Sequence, residues 1–160
     1  MNEVLSNVFV GSDADVSEFN DTYPDGVVIH AAKEPWHRQH VGYTGRGAPK
    51  GHAEYLVGRT DTELFLNLVD SPKPEFIPRT VFEEAAKFYA EHQGTPILIH
   101  CNQGKSRGPA VAMYCIKAVN EDFAGMNLED AVDEMADLHG LEPEFGEGVA
   151  GALMEWWDDL

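Results

Sequence analysis

Pro96-Ile97-Leu98-Ile99 runs without interruption into His100 and Cys101, and six residues after the cysteine Arg107 opens a stretch that is apolar nearly all round. A short continuous apolar run reads as a strand buried on both faces, and the segment from Pro109 through Val119 reads as a central helix with proline in its first turn. The connection His100-Cys-Asn-Gln-Gly-Lys-Ser-Arg107 must therefore turn tightly at the end of a core strand. Gly104 is free to take backbone angles closed to other residues, so successive N–H groups can point inward while the helix terminus adds partial positive charge. That is a cradle for an anion of phosphate size. The same field stabilises negative charge on the Cys101 sulfur, and the planar fork of Arg107 can grip two phosphoryl oxygens as a lysine could not.

The remaining pattern supplies the layers around this unit. Val4 to Val10 reads as a short strand ended by Gly11, with Ser12, Asp13 and Asp15 capping a short helix through about Phe19. Val27, Val28 and Ile29 form a second strand, and Leu64 to Val69 a third that ends at Asp70 before Ser71-Pro72-Lys73-Pro74. Lys33 to Ala53, dense in Gly, Pro, His and Arg, reads as a long loop. Thr80 with Glu83 fits a capping box for a helix stopped by Gly94, Asn127 an N-cap for a helix stopped by Gly140, and Val149 to Trp157 a last helix. Alternating strands and helices imply an α/β fold, a central mostly parallel sheet flanked by helices, in one domain over residues 1–160.

Charge and cysteine content narrow the function. The formal charge of −17 argues against a long nucleic acid or an anionic membrane surface as partner, since both reward Lys and Arg. Thirteen acidic residues and no Lys or Arg lie beyond Asn120, whereas Lys33, Arg38, Arg46, Lys50 and Arg59 cluster earlier among His37, His40 and His52. Cys101 and Cys115 fit neither a disulfide framework nor a metal finger, and Cys115 falls in the apolar helix as a core residue. With no basic flank or long apolar run at its start, the chain is expected in the cytoplasm. The histidines show no metal-ligand spacing. Trp156 and Trp157 read as one core residue and one partly exposed neighbour.

His100-Cys101-x5-Arg107 resembles the signature of the protein-tyrosine-phosphatase superfamily, and more closely that of its small dual-specificity branch. Val4-Leu-Ser-Asn-Val-Phe-Val-Gly-Ser12 looks like that branch's first strand and Gly-Ser turn, and Asn127-Leu-Glu-Asp-Ala131 through Trp156 is similar to its closing helices. The resemblance implies the cysteine-phosphatase fold, Cys101 as nucleophile, Arg107 as phosphate clamp, and Asn102, Gln103, Gly104, Lys105 and Ser106 as the phosphate loop. It also implies a general acid about thirty residues upstream; Asp70 fits, with Asp61 the runner-up. His100 would steady the cysteine, and no metal or cofactor is implied. One departure stands out. The position after the arginine is usually Ser or Thr in the family, where a hydroxyl bonds the departing thiolate, and here it is Gly108, which predicts slow breakdown of a phosphocysteine.

The expected function is phosphomonoester hydrolysis on a phosphorylated protein, at phosphotyrosine and also phosphoserine or phosphothreonine, or on a small phosphate ester. Two alternatives stay open: a pseudophosphatase that binds phosphorylated partners, which Gly108 favours, and a phosphatase of an inositol phosphate or an RNA 5′ end, which Lys105 and the basic loop allow. Gly104-Lys105-Ser106 is not the end of a nucleotide-binding loop, because Ile99 stands where that motif needs glycine.

Overall fold

The structure is a computed structural model that describes residues 1–160. Strands β1 (Asn2–Leu5) and β2 (Val8–Ser12) form an antiparallel hairpin rather than one strand, because Asn7 turns the chain at φ 65°, a left-handed conformation that Asn tolerates better than most residues. At the end of β2 the Ser12 N–H donates to Asp15 Oδ2 at 2.8 Å, capping a short turn that continues into α1 (Val16–Thr22). There follow β3 (Val27–His30), α2 (Arg38–Val41), β4 (Val57–Arg59), β5 (Glu63–Leu66), α3 (Arg79–Glu91), β6 (Ile97–Cys101), α4 (Arg107–Val119), α5 (Leu128–His139) and α6 (Glu147–Trp157).

The six strands form one sheet in the order β1-β2-β6-β3-β5-β4. The inner four run parallel and the two edge strands antiparallel, so the expected mostly parallel sheet is present. Because β2, β6, β3 and β5 point the same way, Ser12, Cys101, His30 and the segment after Leu66 meet at one end of the sheet. Open α/β sheets place their ligand sites at such an end.

Helices α3 to α6 cover one face, over a core cluster of 34 buried residues. Every residue of α4 from Gly108 to Ile116 is buried, each large apolar side chain contributing about 1.5–3 kcal/mol. The other face is covered by α1 and the segment from Lys33 to Val41, over a cluster of five buried apolar residues.

Several sequence expectations need correction. Lys33 to Ala53 is not a plain loop: it carries a tight helical turn and α2, and His37 is fully buried, its ring bonded to Tyr43 Oη at 3.0 Å and the Glu54 carbonyl at 2.8 Å. His40 stacks on Phe65 with ring centres 4.2 Å apart, and its Nε2 meets Glu54 at 3.1 Å. His37 and His40 thus pack the segment down, while His52 stays exposed. The third strand ends at Leu66, short of Val69, and edge strand β4 carried no alternating signal. Helix α3 begins at Arg79 behind Pro78, with no Thr80 capping box. Trp156 and Trp157 are both buried, the indole N–H of Trp157 donating to the Met126 carbonyl at 3.0 Å. Cys115 is fully buried as expected, and burial pushes its thiol up. The expected caps Asn127 and Gly140 hold: the Asn127 side chain accepts from Asp130 N–H, and Gly140 sits at φ 66°.

Candidate active site

Cys101 is the last residue of β6, 3% exposed, and the loop Asn102 to Ser106 curls over it before α4 begins at Arg107. Gly104 is required twice over. Its φ is 74°, and a Cβ there would lie 2.8 Å from the Gly11 carbonyl oxygen of β2. The loop is braced from the far end of the chain, where Glu144 N–H donates to the Lys105 carbonyl at 2.8 Å and Gly146 N–H to Ser106 Oγ at 2.9 Å.

A cavity of about 420 Å³ opens above this loop. Cys101, Arg107 and Asp70 line it together with Asn102, Gln103, Lys105 and Ser106, and Glu144 and Gly146 close its rim. The sheet thus brings Asp70, thirty-one residues upstream of the cysteine, to the same space. Asp70 Oδ1 lies so near Gly146 that a Cβ there would approach it to 3.0 Å, so a side chain at 146 would crowd the carboxylate. Asp61 is excluded from this space. It lies in the turn before β5, at the opposite end of that strand from Asp70.

Two expected residues stand behind the cavity rather than in it. Gly108 is buried against the cysteine backbone, and a Cβ at that position would sit 3.1 Å from Cys101 N, so any side chain there must displace main chain. His100 lies on the thinner face of the sheet. Its Nε2 meets His30 Nδ1 at 2.6 Å, and His30 Nε2 meets Glu63 Oε1 at 2.9 Å. Its Nδ1 is 3.3 Å from Asp13 Oδ1 and 3.4 Å from the Cys101 carbonyl. The two short contacts are met by two neutral rings when each carries its proton on Nε2; the His100 Nδ1 lone pair then faces the Asp13 and Cys101 oxygens, and those two longer approaches are contacts rather than hydrogen bonds. Burial favours that neutral state: it pushes His30 down to about 3, against the pull of Asp13, and, with help from His30, pushes His100 down to about 4.

Arg107 is held by two hydrogen bonds, Nη1 donating to the Leu68 carbonyl at 3.0 Å and Nη2 to Asn102 Oδ1 at 2.6 Å. The cations of the earlier basic stretch are largely engaged elsewhere: Arg38 with Glu34 at 2.7 Å, Arg59 with Glu91 at 3.1 Å, and Lys33 with the Arg46 carbonyl at 2.7 Å. None of them lines the cavity. Lys105 does, but the carboxylate of Glu144 stands 3.9 Å from its ammonium. Glu144 and Gly146 gave no sequence signal, being brought in by a loop some forty residues away. Asp13, which meets Asn102 and His100, could have been found from its place at the carboxyl end of a parallel strand.

No family model matches the sequence, and neither does any curated protein. Solved structures do. DUSP15 superposes with a TM-score of 0.64 at 16% identity, over 96% of this chain and 85% of that one. Human DUSP28 gives 0.64 at 17%, over 99% and 96%, and the Cydia pomonella PTP-2 phosphatase 0.63 at 20%, over 96% and 88%. No helix is long and apolar enough to cross a membrane. Similarity at these identities speaks to architecture, and the chain therefore has the cysteine-phosphatase fold in the form taken by the small dual-specificity phosphatases.

Proposed function

We propose that the protein hydrolyses phosphomonoesters through a phosphocysteine, acting on phosphotyrosine and on phosphoserine or phosphothreonine in proteins. The observation that carries this reading is the convergence of Cys101, Arg107 and Asp70 on one cavity, although they come from β6, α4 and the segment after β5. A phosphoryl group placed over the loop meets the Cys101 sulfur, the loop N–H groups and the Arg107 fork. The sulfur attacks phosphorus as the bond to the leaving oxygen breaks, and Asp70 gives that oxygen its proton. The Asp70 carboxylate then takes a proton from water, the water oxygen attacks phosphorus, and the S–P bond breaks to release inorganic phosphate and the thiolate. Arginine and oriented N–H groups neutralise the charge on the equatorial oxygens, so the scheme needs no metal.

Hydrolysis of para-nitrophenyl phosphate in EDTA tests this directly. Cys101→Ser should abolish turnover, and Asp70→Asn should reduce kcat by about a hundredfold or more. Turnover by the Cys101→Ser variant would rule the scheme out.

Gly108 supports a second reading, in which the protein turns over very slowly and stands as a phosphocysteine after the dephosphorylated partner has left. No hydroxyl is present at that position to assist the departing thiolate. Phosphocysteine breakdown should then be the slow step, visible as a burst of para-nitrophenol before the steady state. A time course linear from the first turnover would remove this reading. Polyphosphorylated substrates are less well supported, because Glu144 sets a carboxylate beside the lysine of the rim, Lys105.

A further inference from the structure

A chain of polar side chains that the proposed reaction does not use connects the phosphate loop to the thinner face of the sheet. Asp13, the residue after β2, accepts from Asn102 Nδ2 at 3.0 Å through Oδ2, and its own N–H donates to the Asn102 carbonyl at 3.4 Å. The second amide hydrogen of Asn102 goes to the Glu34 carbonyl at 2.8 Å, and the amide oxygen accepts from Arg107 at 2.6 Å. This pattern fixes which way the amide faces. Nδ2 meets two acceptors and Oδ1 meets a donor, so turning the amide over would set donor against donor and acceptor against acceptor. Asp13 is itself held by the indole N–H of Trp36, at 2.9 Å on Oδ1.

We propose that Asp13 is a positioning residue for phosphate binding, acting through Asn102 to set the plane of the Arg107 guanidinium. The proposal rests on the phosphatase reading. Two bonds to fixed partners, Asn102 and the Leu68 carbonyl, remove the rotamer freedom of Arg107 before an anion arrives. They leave Nε–H and one hydrogen on each terminal nitrogen to face phosphate. The Asn102 amide can serve as that partner only while it is kept from turning, and Asp13 is the charged group that keeps it. A packing role alone explains Asp13 poorly, since its side chain is 36% exposed and belongs to no apolar cluster.

The test is inorganic phosphate affinity, measured by titration calorimetry and by protection of Cys101 from iodoacetamide, neither of which needs turnover. Wild type, Asp13→Ala, Asp13→Asn, Asn102→Ala and the Asp13→Ala/Asn102→Ala double variant are compared, with melting temperatures alongside. Each single variant should weaken phosphate about tenfold, and the double variant no further than Asn102→Ala, because the two residues act in series. KM for para-nitrophenyl phosphate should rise in parallel. Asp13→Asn keeps an acceptor for Trp36 while turning a donor toward Asn102, so it should lose phosphate affinity at little cost in melting temperature. Phosphate affinity within twofold of wild type in both Asp13 variants, or losses that add in the double variant, would overturn the proposal. Wild-type affinity no better than that of Arg107→Ala would remove the phosphatase reading and this one with it.

Discussion

The two faces of the sheet are built on different physics. On the face under α3 to α6, 34 buried residues form a continuous apolar core, and α4 presents apolar surface in almost every direction. On the face under α1 and α2 only five apolar residues are buried together, and the layer nearest the carboxyl end of the parallel strands is His30, His100, Trp36, Phe65 and His40. His30 is clamped between Trp36 and Phe65, ring centres 4.4 and 4.7 Å away, and bonded at both nitrogens. Apolar packing is strong and non-directional, so the first face supplies stability. Hydrogen-bonded rings are directional, so the second face fixes its own side chains at defined angles, and its two buried histidines make its stability depend on pH.

The sharpest way to break this contrast is to damage each face and vary pH. Phe82→Ala, in the apolar core, should cost about 3–5 kcal/mol in urea unfolding, by the same amount at pH 7.5 and pH 5.5. A cost that changed markedly with pH would show the first face to be less independent of the titrating groups than its composition implies.

A smaller, pH-dependent effect is expected from the second face. His30 and His100 bind protons at about 3 and about 4 in the folded chain, below the ordinary 6.5. From pH 6.5 downward the unfolded chain therefore takes up protons that the folded chain refuses. The stability these rings allow is fully present above pH 6.5 and falls as pH drops toward 4, by up to about 1.4 kcal/mol per pH unit for each ring. His30→Gln should roughly halve that slope between pH 6.5 and 5. Taking the difference between variant and wild type removes the contribution of the many surface carboxylates. An unchanged slope would mean that the buried rings already share a proton.

The smallest effect should come from outside both cores. Leu138, on α5, is 68% exposed, and Leu138→Ser should alter stability by less than about 0.5 kcal/mol at any pH. A loss of several times that would reveal a partner surface on α5.

Legibility in the sequence followed the same division. The apolar face was readable because its elements obey simple periods: β6 is a continuous apolar run, α4 is apolar all round, and α5 is bounded by Asn127 and Gly140. The polar face was misread as a loop, because Pro35, Trp36, His37 and His40 match no periodic pattern and become ordered only through Tyr43, Glu54, Phe65 and His100. Lys105 could be read as free positive charge only while Glu144 was out of sight.

What the sequence determined by itself is the local chemistry: a cysteine at the end of a buried strand, an arginine at the start of a buried helix, and a glycine between them where the backbone must turn. Chain neighbours and periodic burial suffice for that. Tertiary structure alone decided which distant groups meet this loop. Asp70 reaches it while Asp61 does not, Glu144 and Gly146 close its rim, and Asp13 orients Asn102. These pairings depend on strand order and on the common direction of four parallel strands, quantities that belong to the whole chain and leave no trace in any short stretch of it.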